Sequence, residues 1–437
     1  MTGDSANTRQ IIRMRKVFVP GGQPEHTYVA RTQLQLEPKL QAASDNLCKL
    51  VTVTGPTKCG KSVLTQKVYP RDHHVWLDGG SVDQEDDLWQ QVVDQLNLFT
   101  DFSATKGSGS DARLSGELSG QLSIPGMAKG KAKLAPSLGQ QRNSGTTTSR
   151  SLSPKARALQ GLRGTQRALI IDDFHYLDRK IQGSVVRALK SLVYAGHPVI
   201  LIAIPHRRYD AVRVEKEMTG RVHDVPISYW TEDELADIPR KGFPILNVGP
   251  PGNTMKRFVD ECLASPHLMQ EFCRQLCEEN GIEETYSIRR QLQPPSSIDP
   301  LFERVAAHTR KTVFDRLAKG PRQRSDRNQR QFKNGRTGDI YVAVLHAIAD
   351  LKPGMTTIEY EEVRSALRDL LVDLPQAHEV SRVLEHMSNI QADDASSAPV
   401  LDWEKEERRL HIIDPFFAFF LRWGAPQLQD EMLRQRN

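Results

Sequence analysis

Four side chains of this 437-residue chain have types and spacing that can do chemistry together: Lys61, Ser62, Asp172 and Asp173. The first two close the run Gly55-Pro56-Thr57-Lys58-Cys59-Gly60-Lys61-Ser62, in which glycine, four residues and Gly-Lys-Ser follow one another. Glycines let successive backbone N–H groups curl around phosphate oxygens without a Cβ in the way. Lys61 supplies a point charge to β- and γ-phosphates, and the Ser62 hydroxyl is a ligand for Mg²⁺. The run from Gly55 to Val63 is therefore expected to hold ATP or ADP with Mg²⁺. Asp172 and Asp173 end the segment Arg167-Ala-Leu-Ile-Ile-Asp-Asp-Phe-His-Tyr-Leu-Asp178. Asp172 is placed to hold Mg²⁺ through water. Asp173 has two readings: a carboxylate that positions the attacking water, or an N-cap for the turn that follows. Adjacent carboxylates at a strand end are costly without a cation or a role, which favours the catalytic reading.

These groups need elements to hold them. Leu50–Thr54 is an apolar strand that runs straight into the loop, and a helix over Val63–Val68 aims its positive end at the same phosphates. Ala168–Ile171 and Pro198–Ile204 have the unbroken apolar pattern of strands buried on both faces of a parallel sheet. His74–Asp78 is a further short strand. Helical periodicity runs through residues 32–46, through Leu88, Val92, Val93 and Leu96, and through Val185, Leu189 and Leu192. Strands alternating with helices predict a three-layer α/β domain, with carboxylates at the C-terminal sheet edge where ligands bind.

Length allows two or three domains. The formal net charge of +5 permits contact with nucleic acid without requiring it. The N-terminus is charged and polar through Lys16, and no apolar run approaches the roughly 20 residues that span a bilayer, so a cytoplasmic protein off the membrane is expected. The five cysteines (Cys48, Cys59, Cys262, Cys273, Cys277) are scattered and read as reduced, mostly buried thiols.

The expected domains are 1–228 (the α/β domain), 229–290 (a helical lid), 291–337 (a basic linker) and 338–437 (a winged helix). Residues 103–160, rich in Gly, Ser, Thr, Lys and Ala, read as a flexible insertion, with 113–122 and 129–138 able to pair as a hairpin. Thr231 to Glu234 is a capping box that opens the lid, and Pro266 stands at the first turn of a later lid helix. Lys319–Arg336 carries many positive charges. Three amphipathic segments (340–349, 359–371, 377–388) and two strands around a charged 404–408 turn have the order of a winged helix. Pro415–Trp423 closes the chain as an aromatic helix.

The phosphate loop, Leu169-Ile-Ile-Asp-Asp-Phe-His175, Ala264-Ser-Pro-His-Leu-Met-Gln270 and Ile412–Trp423 together resemble the STAND/AAA+ P-loop ATPases of prokaryotes, and are similar to the archaeal-ATPase and origin-initiator groups. The resemblance spans about residues 17–424. It implies the roles given above for Lys61, Ser62, Asp172 and Asp173. It also implies that Pro266 is the lid proline of a Gly-x-Pro motif, from which Ala264 and Ser265 depart. A polar or basic residue after Ile204 touches the γ-phosphate in such proteins, here Arg207 or Arg208. Two functional classes fit. One is a nucleotide-controlled switch that forms homo-oligomers or controls an effector or sensor protein, of the kind that serves anti-phage defence or signalling. The other is a DNA-binding ATPase of initiator or transposition-regulator type, with 319–336 and the winged helix on the duplex. The candidate recognition helix 377–386 carries one arginine and two glutamates. That is a poor surface for reading a groove and favours the switch.

Overall fold

A computed structural model describes residues 10–45, 48–99, 101–106, 146–204, 220–294, 297–307, 311–321, 328–355, 357–392 and 400–426. The first half runs α1 (Met14–Val17), α2 (Leu36–Gln41), β1 (Leu50–Thr54), α3 (Lys61–Val68), β2 (His74–Asp78) and α4 (Glu85–Gln95). It continues β3 (Asp101–Lys106), β4 (Thr146–Ser151), α5 (Pro154–Arg163), β5 (Ala168–Asp172), α6 (Arg179–Tyr194), β6 (Val199–Ala203) and β7 (Val222–Pro226).

Five of these strands form one parallel sheet in the order β2-β5-β6-β1-β7. Side chains alternate across it. Leu169 and Ile171 join α4, α5 and α6 in the core on one face, while Ala168 and Ile170 join α2 and α3 on the other. Helices on both faces explain why these strands are apolar without alternation, and the three-layer α/β expectation holds. β1 and β5 are separated only by β6, so the loop after β1 and the carboxylates after β5 open on the same sheet edge.

Several boundaries differ from the sequence reading. The 32–46 helix is only α2, flanked by short 3₁₀ turns, because Arg31 and Gln35 take left-handed φ of 48° and 51°. The edge strand β7 has no counterpart in that reading. The insertion ends earlier than residue 160. Ser153 caps α5 through the Ala156 N–H with Pro154 in its first turn, and Ala158 and Leu162 are fully buried against the sheet. At its base β3 and β4 form an antiparallel ladder in which Lys106 faces Thr146. The suggested pairing of 113–122 with 129–138 lies outside the described residues.

The second half opens with α7 (Glu232–Leu246), and Thr231 and Glu234 form the expected capping box. β8 (Val248–Gly249) pairs with β9 (Arg290–Gln291) around α8 (Gly252–Glu261) and α9 (Pro266–Glu279). Next come α10 (Asp299–Ala307), α11 (Lys311–Lys319) and the small ladder of β10 (Arg330–Gln331) and β11 (Thr337–Gly338). Then follow α12 (Ile340–Asp350), β12 (Thr357–Glu359), α13 (Tyr360–Leu370), α14 (Ala377–Ala392), β13 (Leu401–Glu404), β14 (Arg409–Ile412) and α15 (Pro415–Trp423). The strands β12, β14 and β13 make an antiparallel sheet in that order, one strand more than the sequence suggests.

Residues 299–319 are not a solvated linker. Leu301, Phe302, Val305, Phe314 and Leu317 are buried in the same core as the lid and the C-terminal helices. The charges of α10 and α11 sit on the outward stripes and hide this periodicity. One continuous core therefore runs from Met14, Val17 and Phe18 through α7–α11 to α15. Its centre is aromatic: Phe272 lies 5.3 Å from both Phe258 and Phe419, and Phe302 lies 5.0 Å from Trp423. At its rim Glu261 on α8 accepts from Arg422 and from the Trp423 indole, both at 3.0 Å. Among the described residues no helix is long and apolar enough to cross a membrane.

Candidate nucleotide site

β1 delivers the chain to a turn that few sequences can make. A Cβ on Gly55 would lie 2.6 Å from the Ile227 carbonyl oxygen, and Gly60 has φ of +95°. Both positions therefore require glycine. Lys58 between them is also left-handed, at φ 63°. Lys61 is 9 % exposed, and its ammonium donates to the carbonyl oxygens of Gly55 (3.0 Å) and Pro56 (2.8 Å). The charge is thereby parked at the mouth of the loop. Gly60 precedes α3, whose first N–H groups face the same space.

The carboxylates meet this loop directly. The Ser62 hydroxyl donates to Asp172 Oδ2 at 2.8 Å, and the Asp173 N–H donates to Asp172 Oδ1 at 2.9 Å. Burial raises the Asp172 carboxyl above its usual range, against the pull of those two bonds. Asp173 is pushed up to about 6 by burial and by the neighbouring Asp172 charge. Its φ is 50°, and its side chain makes no cap bond to the 3₁₀ turn Phe174–Tyr176. Two half-buried acids side by side, with a hydroxyl on one of them, suit a hard divalent cation. Ser62 and Asp172 offer two oxygens, about what Mg²⁺ takes from protein when phosphates and water complete its octahedron. Among the described residues no cluster of three or more His, Cys, Asp or Glu side chains has metal-holding geometry.

Loop, carboxylates and lid enclose a cavity of about 340 Å³. Thr57 to Val63, Asp172, Asp173 and Pro266 line it. Gly55 and Pro56 lie behind it and act through their carbonyls on Lys61. Cys59 is buried, and its thiol is pushed up by that burial, which makes it a packing group. Arg207 and Arg208 lie outside the described residues, although Ile204, shortly before them, reaches the cavity wall.

The remaining wall was missed. It comes from the segment 19–31 and from the entry to the lid. Arg31, with its side chain 4 % exposed, forms an ion pair with Glu234 at 2.9 Å. It also donates to the Ser228 and Tyr229 carbonyls at 3.1 and 2.9 Å, and its guanidinium lies 5.0 Å from the Trp230 ring. The Trp230 indole in turn donates to the Cys59 carbonyl at 2.9 Å, inside the phosphate loop. Gln270 on α9 donates to Thr27 Oγ1 at 2.7 Å and accepts from the Val19 N–H at 3.2 Å. His175 and His267 also reach the cavity. In the sequence, the capping box at Thr231 and the segments Leu169–His175 and Ala264–Gln270 marked parts of this wall, but nothing marked Arg31 or Trp230 as belonging to it.

No protein-family model and no curated protein matches the chain. Solved structures of similar shape include a Walker-type ATPase of Pyrococcus abyssi at 14 % identity, covering 89 % of this chain and 94 % of that one, with a TM-score of 0.48. The ORC2 protein of Aeropyrum pernix, solved with ADPNP and ADP, is 12 % identical over 96 % and 98 % of the two chains, with a TM-score of 0.46. The RuvB branch-migration motor of Thermotoga maritima is 12 % identical over 88 % and 92 %, with a TM-score of 0.38. All three scores fall below 0.5, so the functional reading rests on the site's own geometry.

Proposed function

We propose that the chain is a Mg²⁺-dependent P-loop ATPase of the AAA+/STAND kind that works as a regulatory switch. It forms homo-oligomers or acts on a partner protein, in a role such as anti-phage defence or signalling. The observation that carries the ATPase reading is the Ser62–Asp172–Asp173 constellation facing Lys61 across one cavity. Lys61 leaves its two carbonyl partners for the β- and γ-phosphate oxygens. Ser62 and Asp172 would hold Mg²⁺, which when bound would supply positive charge beside the phosphates. Asp173 orients the attacking water and Pro266 closes the lid side; the contact with the γ-phosphate falls to Arg207 or Arg208, which lie outside the described residues.

A DNA-binding AAA+ ATPase is the second reading. The order of α12–α14 with the β12–β14 sheet supports it as a winged helix, and so do the basic residues of 319–336, of which 322–327 lie outside the described residues. The charges of the β13–β14 hairpin favour the switch. Glu404, Glu406 and Glu407 offset Lys405, Arg408 and Arg409. Lys405 pairs with Glu385 at 3.2 Å, Arg408 with Glu361 at 3.3 Å, and Arg409 with Glu359 at 3.0 Å. Arg330 is likewise paired with Glu379 at 2.7 Å. Such surface pairs add little stability, but they leave the hairpin tip electrically balanced where a duplex would need net positive charge.

Steady-state ATP hydrolysis by the purified protein, with Lys61→Ala as control, separates the readings. Slow, Mg²⁺-dependent turnover indifferent to duplex DNA is expected. Strong stimulation by duplex, with a steep salt dependence, would move the assignment to the DNA-binding reading.

A further inference from the structure

Leu263 and Ala264 are consecutive non-glycine residues with left-handed backbone, at φ 51° and 55°. Such strain persists only where the surroundings over-determine it, and it clusters at ligand clamps and switches. Here it swings the chain from α8 into α9. Ser265 then caps α9 through the Leu268 N–H, Pro266 takes the first position, and the His267 ring enters the nucleotide cavity. The ring stands where three parts of the molecule meet. Gly21 of the N-terminal segment packs so close that a Cβ there would lie 3.0 Å from His267 Cε1. Lys58 of the phosphate loop lines the same cavity, and its charge opposes that of Asp414 at the ring. From the far side Phe416, in the first turn of α15, meets it edge to face at 4.7 Å and 82°. Asp414, fully buried, caps α15 through the Phe417 N–H at 3.0 Å and so fixes where Phe416 stands.

We propose that His267 is a positioning residue that passes the state of the phosphate site to the C-terminal helix α15 through its contact with Phe416. This inference rests on the ATP-binding reading. Lys58 sits in the loop that must re-form around phosphate, and it lines the same cavity as His267. Burial, and then Lys58, bring the His267 pKa down to about 4, so the ring is neutral at pH 7 and packs as a flat polar plate. Gly21 and Phe416 pack against the ring, and the charges of Lys58 and Asp414 act on it. A shift of Lys58 toward phosphate changes the cavity that the ring lines, and Phe416 is the ring's contact on α15.

Hydrogen exchange of the full chain, with and without Mg²⁺ and a non-hydrolysable ATP analogue, tests this. Binding of a fluorescent nucleotide is measured alongside. In the wild type, nucleotide is expected to alter exchange of the 416–423 amides. Phe416→Leu, outside the cavity lining, should lose that response while still binding nucleotide, and His267→Ala should lose the response as well. His267→Gln, polar but without the ring edge, should lose it too. A response that survives in both His267→Ala and Phe416→Leu would overturn the proposal. So would a loss of binding in His267→Ala as large as that of Lys61→Ala, since His267 would then be a direct ligand. Wild-type protein that binds nucleotide with no change in α15 overturns the relay and leaves the ATPase reading intact. Wild-type protein that binds none overturns both.

Discussion

Each chemical side chain at the site carries its own expected phenotype. Lys61→Ala removes a charge that would make charge-assisted bonds to phosphate worth about 1.5–3 kcal/mol each, so nucleotide affinity should fall at least about tenfold in a fluorescence titration. Asp173→Asn keeps the shape of the site and removes the base. It should bind ATP normally and lose turnover by roughly 10²–10⁴-fold in single-turnover assays. Normal hydrolysis by this variant would reduce Asp173 to a structural residue. The phosphate loop and the acid pair were legible because both are local: glycine spacing and an apolar run ending in carboxylates need no partner to be recognised. The Arg31–Trp230–Cys59 chain was not legible. Its members lie far apart in sequence, and a left-handed arginine has no compositional signature.

At the scale of elements, the strands reading as apolar on both faces fell where expected, and the errors came from composition overriding periodicity. Ser153-Pro154 is a helix start inside a Ser/Lys/Ala-rich stretch, and α10 and α11 carry their apolar stripes under a coat of charge. The α12 helix holds a consequence for acid stability. His346 is 6 % exposed, and burial, then Arg336, bring its pKa down to about 4. The folded protein therefore binds fewer protons than the unfolded chain between about pH 6.5 and 4. The stability this ring contributes is complete above that window and is lost as pH falls through it, by roughly 2 kcal/mol at pH 5. His267 adds a loss of the same sign. Urea midpoints at pH 7 and pH 5 should show the drop, and His346→Leu should shrink it.

At the scale of the molecule, the insertion and the long core make separate predictions. Lys106 and Thr146 are paired across the β3–β4 ladder, so a two-residue turn can join them. Deleting 107–145 with such a turn should leave folding and nucleotide binding intact. Loss of self-association on gel filtration would then assign assembly to that segment, and unchanged association would clear it of the role. Phe302→Ala opens a hole in the aromatic centre shared by lid and C-terminal helices, costing about 3–5 kcal/mol. Exchange protection should fall together in α9 and α15, because no packing boundary separates them.

That shared core also changes what a small motion at the nucleotide can accomplish. The strap from Ser228 to Thr231 is gripped by Arg31 and tethered to the loop by Trp230. On its far side the helices from α7 to α15 share one core, and Glu261 of α8 holds Arg422 and Trp423 of α15. If nucleotide turns the strap, those helices are expected to answer as one body rather than one at a time, which exchange protection rising or falling in common across them would show.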